Sequence, residues 1–169
     1  MFAISGINKS FKGEIGVHLV CCELLRRNFV ALCTSRNVRG YDIIVLNPKT
    51  NKGMGIQVKC TDNPKKEFPI LSANFSDFEQ KIEERIICPY VFVDITNMKN
   101  PHFYIVPQTE LKKIIKKMVM DYEERLKNEQ PEKFEEKMNP KYKPDLWAIK
   151  LDSIERFENK WNIITDSLV

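Results

Sequence analysis

Residues 40–61 read GYDIIVLNPKTNKGMGIQVKCT. Two short apolar runs, 41–47 and 54–60, flank the turn-rich segment PKTNKG, which is the pattern of a β-hairpin. Polar residues interrupt both runs: Asp42 in the first, Gln57 and Lys59 in the second. Side chains two apart on a strand share a face, so Gln57 and Lys59 point one way while Ile56 and Val58 point the other. If the strands pair antiparallel with Asp42 opposite Gln57 or Lys59, an acid, an amide and an amine converge on that face. A register with Asp42 opposite Val58 would turn the acid away from the lysine. Burying such groups is costly unless they are paired or coordinated. On the hairpin alone, a cross-strand Asp42–Lys59 ion pair at a strand end and a functional site are equal readings.

The segment before the hairpin adds a further acid. Residues 10–28 have the spacing of an amphipathic helix, with Ser10 as N-cap and Phe11, Ile15, Leu19 and Cys22 as the apolar line. Glu14 lies near its start, one turn before His18. An acid there stabilises a helix N-terminus by about 0.3–1 kcal/mol. It also supplies another carboxylate if the helix packs on the sheet.

Beyond these elements, 29–35 reads as a strand and 61–75 mostly as loop. A short helix follows over 76–85, and strands 90–95 and 102–106 form a second hairpin. A helix runs from Thr109 to about Lys127 with Leu111, Ile114, Ile115, Met118 and Tyr122 inward. The polar stretch 128–144 reads as a connection and 146–151 as a last strand. A final helix places Ile154, Phe157, Trp161 and Ile164 inward. This order predicts an α/β fold, a mixed sheet flanked by helices whose early strands are antiparallel.

A chain of 169 residues fits one domain with a sizeable core. No apolar run approaches the ~18 residues of a membrane span, and the N-terminal residues lack a signal-peptide pattern, so a cytoplasmic location is expected. Five cysteines without CxxC spacing argue against a disulfide framework or a zinc site and favour buried apolar thiols. The two histidines, His18 and His102, are too far apart in sequence to suggest a paired metal site. Residues 1–66 hold 11 Lys/Arg against 4 Asp/Glu, a balance of +7, whereas the remainder is −3. The excess suggests a polyanionic partner for the half that carries the hairpin.

Glu14, Asp42 and Gln57-Val58-Lys59, on helix, strand and strand, resemble the PD-(D/E)xK nuclease superfamily of restriction endonucleases and Holliday-junction resolvases. The likeness covers roughly residues 10–110, with 109–169 as a C-terminal helical extension of the same domain. It implies a three-layer restriction-endonuclease-like fold and Mg²⁺- or Mn²⁺-dependent hydrolysis of DNA. By the same likeness, Asp42 is the main metal ligand and Gln57 stands where most members have an acid. The Val58 carbonyl faces the metal, Lys59 is the catalytic lysine and Glu14 the accessory acid. Gly40-Tyr41 occupies the place of the family's proline. Arg36, Arg39, Lys65 and Lys66 flank the site as candidate DNA-backbone contacts. The neutral Gln57 keeps a second reading open: a pseudo-nuclease that binds DNA or assembles with other chains. Residues 128–169 are open to recognition or dimerisation, so a homodimer is considered beside DNA.

Overall fold

The computed structural model describes residues 8–35, 40–63, 65–139, 141 and 143–169. Its centre is a mixed five-stranded sheet in the order β1-β2-β3-β5-β6. The strands are β1 (Val30–Cys33), β2 (Ile43–Leu46), β3 (Gly53–Thr61), β5 (Tyr90–Asp94) and β6 (His102–Val106). β1, β2 and β3 are antiparallel neighbours, β3 and β5 run parallel, and β5 and β6 form an antiparallel hairpin. The mixed sheet with antiparallel early strands is the expected architecture.

Each face of the sheet has its own core. On one, Ile43, Val45, Ile56, Val58, Val91 and Val93 pack under α1 (Lys9–Arg26) and the short C-terminal α5 (Asn162–Thr165). On the other, Tyr90, Phe92 and Tyr104 pack under α2 (Phe78–Arg85) and α3 (Gln108–Glu129). A two-stranded sheet of β4 (Glu67–Ala73) and β7 (Asp145–Lys150) completes that cover. Phe68 of β4 meets Phe92 edge-on, ring centroids 5.1 Å apart. Helices, central sheet, and helices with β-ribbon thus make three layers. Among the described residues, no helix is long and apolar enough to cross a membrane.

Five local expectations need correction. The N-cap of α1 is Asn8, whose side chain accepts from the Ser10 N–H at 2.9 Å, not Ser10. The inward line of α1 is Gly16, Val20, Cys21 and Leu24; of the expected line Ile15 and Leu19 pack partly against the core, while Phe11 is 63 % exposed and Cys22 lies outside. Gly16 causes this: without a side chain it lets the helix settle directly on β3. The 61–75 segment contains β4, disguised by Pro69, which sits at the irregularity in its pairing with β7. The 128–144 connection contains α4 (Pro131–Met138), which begins at its proline, where a missing N–H costs nothing. The final helix is mostly single 3-10 turns, 151–153 and 155–157, broken at Asn159 (φ +54°) before α5. Ile154, Trp161 and Ile164 are still buried, and Phe157 packs partly against the core.

The C-terminal segment is integral rather than an appendage. β7 pairs with β4, and the Leu168 carbonyl accepts from Asn47 Nδ2 (3.0 Å) and Thr50 Oγ1 (2.6 Å) in the β2–β3 turn. Lys137 of α4 is buried and pairs with Asp145 of β7 at 2.5 Å.

The α1–β3 contact is a tight local constraint. A Cβ on Gly16 would stand 2.6 Å from Cys60 Cβ. Gly16→Ala should therefore destabilise by about 1–3 kcal/mol, despite the helix propensity gained. Thermal or urea unfolding measures it. Adding Cys60→Ala should give no relief, because the Cβ remains, whereas Cys60→Gly should restore much of the loss.

Candidate active site

Asp42 is fixed by its backbone on both sides. Its carbonyl accepts from the Thr34 N–H and its own N–H donates to the Ile56 carbonyl, each at 2.9 Å. Thr34 Oγ1 donates to the Tyr41 carbonyl at 2.6 Å. The Tyr41 ring covers Gly55, where a Cβ would lie 1.9 Å from the ring, and Gly40 takes φ +91° to turn the chain into β2. The ladder ends at Ile43 opposite Ile56, and Asp42, just before it, gives its N–H to the same Ile56 carbonyl and turns its side chain to Gln57 and Val58.

At that point β2 has no preceding strand residues, while β3 continues to Thr61. The Asp42 side chain fills the gap. Its Oδ2 accepts from the Val58 N–H at 2.7 Å and from Gln57 Nε2. Gln57 gives its own N–H to the Pro89 carbonyl on the β5 side, at 3.1 Å. Peptide groups alternate along a strand, so the Val58 carbonyl leaves on the same side as its N–H, toward Asp42.

Glu14 reaches the gap from α1. It shares with Asp42, Gln57, Val58 and Lys59 the wall of a cleft of about 470 Å³. Burial pushes the Asp42 carboxyl above its ordinary pKa; the Val58 hydrogen bond and the Lys59 charge work against this, and Glu14 adds to it. All five residues assigned to catalysis or metal binding from sequence therefore meet in one place. A larger cavity, about 680 Å³, lies apart between α3 and β7 over Tyr122 and Trp147, and none of the five lines it.

The flanking cations are distributed differently. Arg36 and Arg39 lie outside the described residues. Lys65 is exposed, and the Lys66 ammonium pairs at 3.2 Å with Asp94, a carboxylate only 2 % exposed. Burial would raise the Asp94 pKa, but hydrogen bonds from Thr96 and the Lys66 charge bring it below the ordinary value. Sequence reasoning missed Lys12, which lines the 470 Å³ cleft and pairs with Asp62 at 2.7 Å. It lies one turn before Gly16, whose inward position the sequence does not advertise. Sequence reasoning also missed Arg85 and Tyr90. With Gln57, Lys59, Gly40, Ile70, Leu71 and Ser72 they line a narrower cleft of about 200 Å³.

The oxygen donors suit a hard divalent cation: carboxylates from Asp42 and Glu14, the Val58 carbonyl, and the Gln57 amide once it turns its oxygen toward Asp42. Among the described residues, no three His, Cys, Asp or Glu side chains group as a metal site. A cation here would therefore depend on the neutral oxygens. A buried carboxylate with a second acid close by is an electrostatic deficit that a cation relieves. Comparison with family models, curated proteins and solved structures finds no match.

The sign of the Asp42 shift sets a stability test. A carboxyl whose folded pKa is raised stabilises the fold fully below its unfolded value, near 3.9, and that contribution is lost as pH rises through the folded pKa. Ionising the half-buried Asp42 therefore costs the native state stability as pH rises. Asp42→Asn should raise the urea midpoint at neutral pH. The gap to wild type should close as the buffer approaches about pH 4.

Proposed function

We propose that the chain is a metal-dependent DNA endonuclease of the PD-(D/E)xK kind, acting in the cytoplasm. One observation carries the proposal: Asp42, Gln57 and Lys59 converge where β2 ends and β3 continues, with Glu14 entering the same cleft from α1. A fold that needed only a hairpin would gain little from placing two acids beside a half-buried amide and amine. The basic N-terminal half supports a polyanionic substrate.

In this reading Mg²⁺ or Mn²⁺ would be held by Asp42, Glu14, the Val58 carbonyl and Gln57. The cation supplies Lewis acidity toward a phosphate oxygen and a bound water of lowered pKa. Asp42 is kept in place by the Val58 N–H and by its own backbone bonds, so the oxygen that faces the cleft needs no reorganisation. Lys59, rigid on a central strand, orients the attacking water and balances negative charge growing on the phosphate. Lys12, on the rim, draws the backbone of the substrate inward.

The Gln57–Asp42 hydrogen bond favours a second reading. It satisfies Asp42 without a cation, which a pseudo-nuclease that only binds DNA would retain. Plasmid nicking with Mg²⁺ or Mn²⁺ separates the two. An active enzyme should lose about 10²–10³ in rate with Lys59→Ala and all metal-dependent cleavage with Asp42→Asn. Folding should be intact in both. Cleavage that ignores both substitutions refutes the site. DNA binding without cleavage, with cleavage appearing in Gln57→Glu, establishes the second reading.

A further inference from the structure

Gln57 and Lys59 wall two clefts, and the charges on either side differ. Both acids, Glu14 and Asp42, line the 470 Å³ cleft under α1. The 200 Å³ cleft under α2 and β4 has no acid in its lining, only the cations Lys59 and Arg85 with Ser72, Gln57 and Tyr90 as polar partners. We propose that this narrower cleft is a second phosphate subsite, with Arg85 as its anchor, holding the phosphate next to the one at Asp42. The proposal rests on the nuclease reading and gives the strand a path across Lys59.

Three features support an anion here. Among the described residues no carboxylate pairs with Arg85, whereas Lys81, one turn earlier on α2, is held by Asp77 at 2.6 Å. The negative end of α2 is neutralised locally. Its terminal carbonyls are engaged: that of Arg85 by the Tyr90 hydroxyl (3.3 Å) and that of Ile86 by Gln108 Nε2 (2.8 Å). Those two bonds also fix the backbone from which Arg85 projects. Finally, the guanidinium is a planar fork suited to two phosphate oxygens, and it shares the cleft wall with the Tyr90 phenol, which burial keeps protonated.

Fluorescence anisotropy of a labelled duplex in EDTA, over a range of salt, reads binding without cleavage. Arg85→Gln should weaken binding roughly tenfold and reduce the slope of log K against log salt by about one. Arg85→Lys should keep the slope and recover part of the affinity. Arg26→Gln, an exposed arginine on α1, should change little and sets the background. Comparing 5′-phosphorylated, 5′-hydroxyl and circular DNA assigns the source. A loss confined to phosphorylated ends marks a terminal phosphate, and an equal loss on all three marks an internal one. An Arg85→Gln slope equal to wild type overturns the subsite while leaving the nuclease reading in place. No DNA binding by wild type overturns both.

A second, independent pair of groups lies further along α1, against β1. Cys21 of α1 and Cys33 of β1 have sulfurs 3.5 Å apart, one thiol buried and the other exposed. A disulfide is about 2.05 Å long, so modest side-chain rotation closes the gap. We infer that the pair is a disulfide-forming site for a small disulfide oxidant such as oxidised glutathione. The exposed Cys33 thiolate attacks one oxidant sulfur and releases one glutathione thiolate. Cys21 then loses its proton to solvent, attacks the Cys33 sulfur and expels the second glutathione. Two protein thiols are oxidised and one glutathione disulfide is reduced. Burial pushes the Cys21 pKa up to about 12, which makes Cys33 the first to react. After oxidation of the native protein, thiol titration should fall from five to three. Peptide mapping should show Cys21 joined to Cys33, unchanged in Cys22→Ser and absent in Cys33→Ser. A stable glutathione adduct on Cys33, or Cys21 bonded elsewhere, overturns the assignment.

Discussion

The Asp42 carboxylate does the work of a missing strand. β2 begins at Ile43, and beyond it the β2 side of β3 has no backbone ladder. Asp42 Oδ2 takes the Val58 N–H that a longer β2 would have bound. A strand edge left open in this way would be unsatisfied or would recruit another chain. Closed by a side chain, it leaves the Val58 carbonyl, the Gln57 amide and the Lys59 amine facing a cleft. The same contact that completes the sheet therefore makes the cleft chemical, and α1 must lie close for Glu14 to join it. Gly16 permits that approach.

Charge is handled in two distinct ways across the molecule. Asp94 and Lys137 are buried and paired: Asp94 with Thr96 and Lys66, Lys137 with Asp145. These pairs hold the ends of β5 and the α4–β7 junction. Asp42 is different. Its neighbours oppose one another, Lys59 favouring the charge and Glu14 disfavouring it. Such imbalance is costly to a fold and typical of sites where charge is used.

Much of the site was legible because strands alternate. The period of two fixed Gln57 and Lys59 on one face and put Asp42 on that face opposite one or the other. Other features were hidden for identifiable reasons. The inward line of α1 was only half legible, Ile15 and Leu19 but not Phe11 and Cys22, because a glycine carries no hydrophobic signal, yet Gly16 is the residue that decides the contact. Pro69 masked β4, which is tolerated because the strand's pairing with β7 is irregular there. α4 is almost wholly polar and is held by Lys137 and Phe134, a pattern that reads as loop. Arg85 could not be placed at all: its cleft is assembled from β3, β4, α2 and β5, and sequence spacing says little about such distant neighbours. The Cys21–Cys33 approach was hidden for the same reason.

The β4–β7 ribbon has a consequence for the order in which the protein is made. Asp42, Gln57 and Lys59 leave the ribosome well before β7, and β4 follows them soon after. Its partner strand begins only at Asp145, and the turn between β2 and β3 is fastened by the Leu168 carbonyl. Until those residues emerge, one side of the sheet lacks its cover and the apolar Phe68 and Phe92 have no roof from β7. The nascent chain is thus a finished hairpin with an unfinished wall. That wall closes only once β7 has been made and has paired with β4.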